Sequence, residues 1–411
     1  MAEPKLRFKR EDGTVYPELR NATMGGFYTE RNERGGEGLP VLSVSIHSGV
    51  SDGELDEDEL GKRVKRSADL SLYKRAISGD LVFNMMRAWQ GAVGCVKTTG
   101  MVSPAYIVAE PNGEIDPTFM DYYVQTKGII DRFNRLSYGA LDFRKRLYWD
   151  SFVTTEVNIP VLEEQKRIAG VLEEIDAVIA AGEDEVINLE RQKKAAMQKI
   201  FSQEVRFKRE DGSEFAAWKK ARISDIGVFH GGLSGKEKKD FGRGDGRFIT
   251  YMNVYKNTFA DPEQVEKVDV IEGENQYRIR YGDIMFTQSS ENVEEVGLSS
   301  VWLNDEEVFL NSFCMVLRPD NINRIDPIFS GYLYRSPQVR KQIMLQGQGT
   351  TRVNLAPSRL SKVSFEYPDA VEEQRLIADF LSSFDDAIAE AKEELEHWKT
   401  LKRGLLQQLF I

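Results

Sequence analysis

Two stretches of this chain place apolar side chains alternately four and three positions apart, and the two patterns superimpose without a gap. The first runs Ile168, Leu172, Ile175, Ile179, Gly182, Val186, Leu189, Lys193, Ala196, Ile200; the second runs Ile377, Leu381, Phe384, Ile388, Ala391, Leu395, Trp398, Lys402, Leu405, Leu409. A seam of this period, held for about five heptads, predicts a long helix that buries a narrow stripe against another helix, and each stretch is the obvious partner of the other. Helices of about 38 residues would be roughly 57 Å long, a length suited to a spacer or scaffold. Even the exceptions match. Lys193 and Lys402 fall at the same step of the seam, where a charge costs stability, and each is expected to snorkel from a frayed end.

The same residues stand before each seam. Glu164-Gln165-Lys166-Arg167-Ile168-Ala169 aligns with Glu373-Gln374-Arg375-Leu376-Ile377-Ala378, with Pro160 and Pro368 shortly upstream. Further back, Arg7-Phe8-Lys9-Arg10-Glu11-Asp12-Gly13 returns unchanged as Arg206-Phe207-Lys208-Arg209-Glu210-Asp211-Gly212. A repeat about two hundred residues long is a duplicated domain rather than a solenoid unit.

Within the intervening parts the period becomes short and mixed. Strand-like runs lie at 40–46, 80–84, 247–251 and 283–287, and Ser78-Gly79-Asp80-Leu81-Val82-Phe83 aligns with Tyr281-Gly282-Asp283-Ile284-Met285-Phe286 as a turn feeding a buried strand. A later pair at 104–108 and 313–317 has the same look, and helical stretches follow at 117–133 and 327–345. The expected fold class is α+β. Two mixed α/β domains, 1–160 and 204–368, alternate with two long helical regions, 161–203 and 369–411, the helices antiparallel in a coiled coil and the whole a pseudo-twofold internal repeat.

Composition changes this picture little: 411 residues with 41% hydrophobic and 29% charged suit a globular protein of several domains. No stretch reaches the roughly 18 apolar residues of a membrane span, and the N-terminus lacks the apolar core of a signal peptide, so a cytoplasmic location is expected. The isolated Cys95 and Cys314 and the scattered His47, His230 and His397 argue against a disulfide framework and a zinc site. A net charge of −11 counts against a nucleic-acid partner, but much of the acid lies in the helical regions. The intervening parts hold basic clusters: Lys62, Arg63, Lys65 and Arg66 with Lys74 and Arg75; Arg144, Lys145 and Arg146; and Lys236, Lys238, Lys239, Arg243 and Arg247. Set among Gly, Ser, Tyr and Phe, such clusters fit loops that touch phosphates and base edges, or else a solvated face beside acidic neighbours.

This arrangement resembles the specificity subunit of type I restriction-modification systems over nearly the whole chain. In that family two target-recognition domains alternate with two helical regions, and a proline followed by Glu-Gln-x-x-Ile-Ala marks the boundary. The resemblance extends to a Gly-Asp-hydrophobic strand followed by a polar loop, at Gly79-Asp80 and Gly282-Asp283, and to a glycine-containing loop at 139–146 and 347–354. It implies that each globular part docks on double-stranded DNA, with Arg suited to guanine and Asn or Gln to adenine. The candidate DNA-binding residues are Arg87, Gln90 and Arg144 in the first half and Lys236, Gln288, Asn292 and Arg352 in the second. It also implies two modification subunits docked on the helices and restriction subunits beyond them. S-adenosylmethionine, ATP and magnesium would belong to those partners, with no cofactor in this chain. A helix pair of roughly 57 Å allows half-sites at most about 17 base pairs apart, centre to centre.

Residues for catalysis are not evident. No Pro-Pro occurs for an amino-methyltransferase loop, and Gly231-Gly232-Leu233-Ser234-Gly235-Lys236-Glu237 lacks the glycine spacing and the Ser/Thr of a phosphate loop. Glu164-Gln165-Lys166 has nuclease-like spacing but opens a helix without a companion acidic strand. Two other readings remain open at this level: a DNA-reading module of another defence system with different partners, and a coiled-coil scaffold whose globular ends bind proteins.

Overall fold

A computed structural model describes residues 4–53, 70–139, 145–271, 273–349 and 351–410. It divides into two compact units, Met1–Glu183 with Glu393–Ile411, and Asp184–Lys392. The four segments expected from the sequence are thus regrouped, because each unit takes one α/β part together with a portion of both long helices.

The α/β part of each unit is built on one plan. In the first unit an antiparallel sheet has the order Tyr28–Glu30, Tyr106–Pro111, Leu81–Asn84, Val93–Cys95; in the second the order is Gly227–Gly231, Cys314–Pro319, Ile284–Thr287, Ser299–Val301. The strands after Gly79-Asp80 and Gly282-Asp283 are central and lie between two apolar layers. Leu81 and Phe83 face one cluster and Val82 another; Ile284 and Phe286 face one and Met285 another. Burial on both faces is why these runs are apolar throughout instead of alternating. The run at 40–46 forms strand only over Val44–Ser45, and Tyr251, expected to end a strand, opens the short helix Tyr251–Lys256.

The helical stretches resolve into pairs: Pro117–Val124 and Lys127–Leu136 in the first unit, Pro327–Arg335 and Pro337–Met344 in the second. Asp116 and Asp326 cap the first helix of each pair, accepting from backbone amides of the opening turn, with proline at the next position where its fixed φ fits. A two-strand ribbon then leads into each long helix: Arg20–Thr23 with Glu156–Ile159, and Lys219–Arg222 with Ser364–Tyr367.

The long helices are Leu162–Phe201 and Val371–Leu409. Every seam position expected from the sequence is buried or half-buried, including Ile168, Leu172, Ile175, Ile179, Ile377, Leu381, Phe384 and Ile388. Within the first unit, Asp176 and Glu183 of one helix pair with Lys402 and Lys399 of the other, an antiparallel order. Within the second, Glu190 pairs with Lys392 and Lys193 with Asp385, in the same sense. The first turns of each seam do more than meet a helix. Ile168 and Leu172 join the α/β core with Leu409 and Phe410, and Ile377 and Leu381 join the other with Ile200 and Phe201.

The two seam lysines correct the sequence reading. Neither snorkels from a frayed end: Lys193 is bound by Asp385 and lies over the Tyr332 ring, whose hydroxyl donates to the same carboxylate at 2.7 Å. Lys402, Asp176 and Tyr122 repeat the arrangement, again with a 2.7 Å Tyr–Asp bond. Burial and the neighbouring carboxylate push both tyrosine hydroxyls far above their usual pKa, so each remains a donor.

Candidate nucleic-acid interface

The duplicated motifs fasten each α/β part to its helix. Gln165 and Gln374 are buried, and each side chain bridges three backbone groups. The Gln165 carbonyl accepts from Asp116 N at 2.8 Å while its amide donates to Glu114 O and Pro160 O; Gln374 does the same with Asp326 N, Arg324 O and Pro368 O. Beside them Glu164 and Glu373 are 1% exposed and are gripped by Arg7 and Arg206, the first residues of the seven-residue repeat, each of which also donates to a backbone carbonyl, Pro17 O or Ala216 O. Glu164, whose spacing to Lys166 is nuclease-like, is therefore a clamp residue. The rest of the repeat closes a tight hairpin, with Gly13 and Gly212 at φ of 84° and 82°, a conformation that favours glycine.

On this frame the aspartates of the Gly-Asp turns anchor the central strands from below. Asp80 binds Arg31 and the Ile77 amide; Asp283 binds Arg318 and the Arg280 amide. The turns beyond the other ends of these strands hold the candidate reading residues. In the first unit, Arg87 and Gln90 are exposed on the turn after Leu81–Asn84, and Arg87 has no ion pair among the described residues. That turn is met by a hairpin whose ends are Tyr138 and Arg146: Leu147 N donates to Met85 O at 2.9 Å, and Tyr138, 59% exposed, packs on Tyr148 with ring centroids 4.9 Å apart. Arg144 lies outside the described residues, as do the basic residues at 62–66.

The second unit repeats the arrangement with different chemistry. Gln348 and Asn354 bridge to form the hairpin, Leu355 N donates to Gln288 O at 2.8 Å, and the strands Ser289–Ser290 and Val353–Asn354 pair. Gln288, Asn292 and Arg352 therefore converge on one loop cluster, with the Arg352 guanidinium 6.0 Å from the centroid of the exposed Phe313 ring. Asn292 also braces its own turn, its carbonyl accepting from Glu295 N at 3.0 Å. Lys236 is elsewhere. Its side chain is 7% exposed and held by Glu274 at 2.5 Å, and this bond draws the Glu274 carboxyl below its ordinary value.

Most of the other described basic residues singled out in the sequence are paired within their own unit: Lys74 with Glu30, Arg75 with Glu33, Lys239 with Glu237, Arg243 with Asp269 and Arg247 with Glu306. Two positioning residues escaped the sequence reading entirely. Arg335 donates to the carbonyls of Val254, Tyr255, Asn257 and Ser299, and Arg340 to those of Glu294, Val296 and Gly297. Burial pulls both guanidinium groups down to about 10. Together they fix the helix Tyr251–Lys256 and the loop after Asn292, and nothing in a helical run containing arginine signals that role. Among the described residues no group of His, Cys, Asp and Glu could hold a metal ion, and Cys95 and Cys314 are buried free thiols.

A sheet that presents paired turns is thus built twice in this chain with different side chains. Residues 216–397 match the family described as Type I restriction modification DNA specificity domain, and the chain is similar to type I restriction enzyme specificity subunits. It is 27% identical over 217 residues to a putative type I restriction enzyme specificity subunit, MjaX, of Methanocaldococcus jannaschii, covering 51% of this chain and 49% of that one. The chain thus spans about half the length of that curated relative. To the MjaVIII specificity subunit of the same organism it is 22% identical over 328 residues, 75% of this chain and 73% of the other. Among solved structures, the S subunit from M. genitalium aligns over 100% of this chain and 99% of its own with a TM-score of 0.55 and 13% identity. The HsdS subunit from Thermoanaerobacter tengcongensis aligns over 96% and 97% with a TM-score of 0.50 and 18% identity. These likenesses extend the fold over nearly the whole chain. No helix among the described residues is long and apolar enough to cross a membrane.

Proposed function

We propose that this chain is the non-catalytic reader of a type I restriction-modification complex, recognising a two-part target in double-stranded DNA with an unread spacer between the parts. The observation that carries the reading is the repeated loop cluster: Arg87 and Gln90 beside the Tyr138–Arg146 hairpin, and Gln288, Asn292 and Arg352 beside the Gln348–Asn354 hairpin, on one scaffold with different side chains. Equal sheets with unequal loops suit two different half-sites, because base edges are told apart by the donors and acceptors offered to them. Lys236, bound by Glu274 away from the second cluster, is not a free phosphate ligand.

In this reading the long helices, 40 and 39 residues and so about 60 Å long, set the spacer. Their acidic outer faces are the docking surfaces for two modification subunits, and restriction subunits join through these. S-adenosylmethionine, ATP and magnesium act in the partners. The chain's net charge of −11 makes its own hold on DNA weak, with the modification subunits completing the clamp. The test is fluorescence anisotropy of a labelled duplex carrying the methylated motif, with the chain alone and with its modification partner, over a salt series. Tight binding only with the partner, falling steeply as salt rises, is expected. Binding indifferent to salt, or no response to the partner, would overturn the proposal.

A further inference from the structure

The loop cluster of the second unit encloses a cleft of about 340 Å³ whose chemistry is unlike that of a phosphate contact. Tyr251, Tyr255, Phe313 and Arg352 line it together with Glu291 and Glu295. Three carboxylates, Glu291, Glu294 and Glu295, fall within five residues of its rim, and they repel a DNA backbone. Among the groups of DNA, a carboxylate finds its hydrogen-bond donors in the exocyclic amines of the bases, and cytosine N4 is the typical one in the major groove. The guanidinium beside it has the complementary preference, for guanine O6 and N7.

Glu295 is held ready for such a contact. Asn292 and the Tyr255 hydroxyl bond to its carboxylate and keep its pKa below the ordinary carboxylate value, and Ser290 Oγ donates to it at 3.1 Å. Arg340 fixes the loop on which it stands through the carbonyls of Glu294, Val296 and Gly297. Arg335 fixes the helix that carries Tyr251 and Tyr255. One polar group is left over. Ser289, 7% exposed, lines the cleft, and its hydroxyl has no hydrogen-bond partner among the described residues. A buried hydroxyl without a partner is uncommon and is suited to an incoming base edge or a bridging water.

We propose that this cleft reads one G·C base pair of the second half-site, Glu295 accepting from cytosine N4 and Arg352 donating to guanine O6 and N7. The inference rests on the DNA-reading function proposed above. It names a specificity-determining pair and the base pair it selects, with Tyr255 and Arg340 as positioning residues.

The experiment is selection from a pool of randomised duplexes by the full chain in complex with its modification partner, comparing wild type with Glu295→Gln and Arg352→Gln. Wild type is expected to enrich a two-part motif. Both variants are expected to lose, by about tenfold or more, the preference at one and the same G·C position, while the other half of the motif stays intact as the control for folding. An unchanged motif in both variants, or a loss spread evenly over all positions, would overturn the assignment while leaving the DNA-reading function standing. Failure of the wild type to enrich any motif would overturn that function and this inference with it.

Discussion

Gln374, itself fully buried, makes three hydrogen bonds to backbone groups, two in the Arg324–Asp326 segment and one at Pro368. Replacing it with alanine strands Asp326 N and the carbonyls of Arg324 and Pro368 inside the second unit. Unsatisfied buried groups cost about 1–3 kcal/mol each before relaxation, so Gln374→Ala should lower the stability of the chain by about 3 kcal/mol, seen as a fall in urea midpoint at unchanged slope. A change below about 1 kcal/mol would contradict the clamp. The sequence marked this residue, because Glu-Gln-x-x-Ile-Ala occurs twice, but not its task. A motif shows which residues recur, whereas Gln374 acts on chain segments about 50 residues away. Arg7 and Arg206 were visible for the same reason, as repeat residues whose partner, a buried glutamate, lies more than 150 positions downstream. Arg335 and Arg340 were invisible, since their partners are backbone carbonyls that any sequence possesses.

At the scale of elements, hydrophobic period was the most legible feature. The seam of each long helix is buried where the heptads place it, because a stripe of constant pitch depends only on the residues of its own helix. Lys193 and Lys402 were misjudged since each meets an aspartate of one element and a tyrosine of another, which no single-helix pattern contains. Asp385→Ala should remove the partner of a lysine whose side chain is only 16% exposed and cost about 2 kcal/mol, moderated by the partial exposure of the aspartate itself. Adding Lys193→Leu should restore most of that loss, giving a coupling of about 1 kcal/mol in a double-mutant cycle. Additive losses in the double variant would show that the Lys–Asp–Tyr contact carries no net stability. The central strands were read equally well from their Gly-Asp turns. The run at 40–46 was over-read, for an apolar run without partners specified nearby does not by itself fix strand length.

For the molecule as a whole, the duplication has a consequence for connectivity. In the first unit Leu6 N donates to Gln408 O, and Phe410 packs on Phe119 and Tyr123, as Phe201 packs on Phe329 in the second. A permuted chain with the C-terminal residues joined to the N-terminal ones and opened at Gln203 should therefore fold and melt within a few degrees of the parent. Failure to fold would refute the equivalence of the two junctions. The repeat and the α+β class were legible at this scale because duplication doubles every weak pattern. The candidate reading residues were only partly so: Gln288, Asn292 and Arg352 fall together, whereas Lys236 and several clustered cations are committed to ion pairs. Charge composition cannot distinguish a cation aimed at DNA from one already bound by a neighbouring carboxylate.

The most direct test of the central claim is the methylated motif in genomic DNA from cells that carry this chain with its modification partner, read base by base. The account predicts a motif in two parts separated by unread bases, of which exchanging residues 1–160 for those of another such chain alters one part and leaves the other. One continuous motif, or a motif that persists when this chain is deleted, would contradict it.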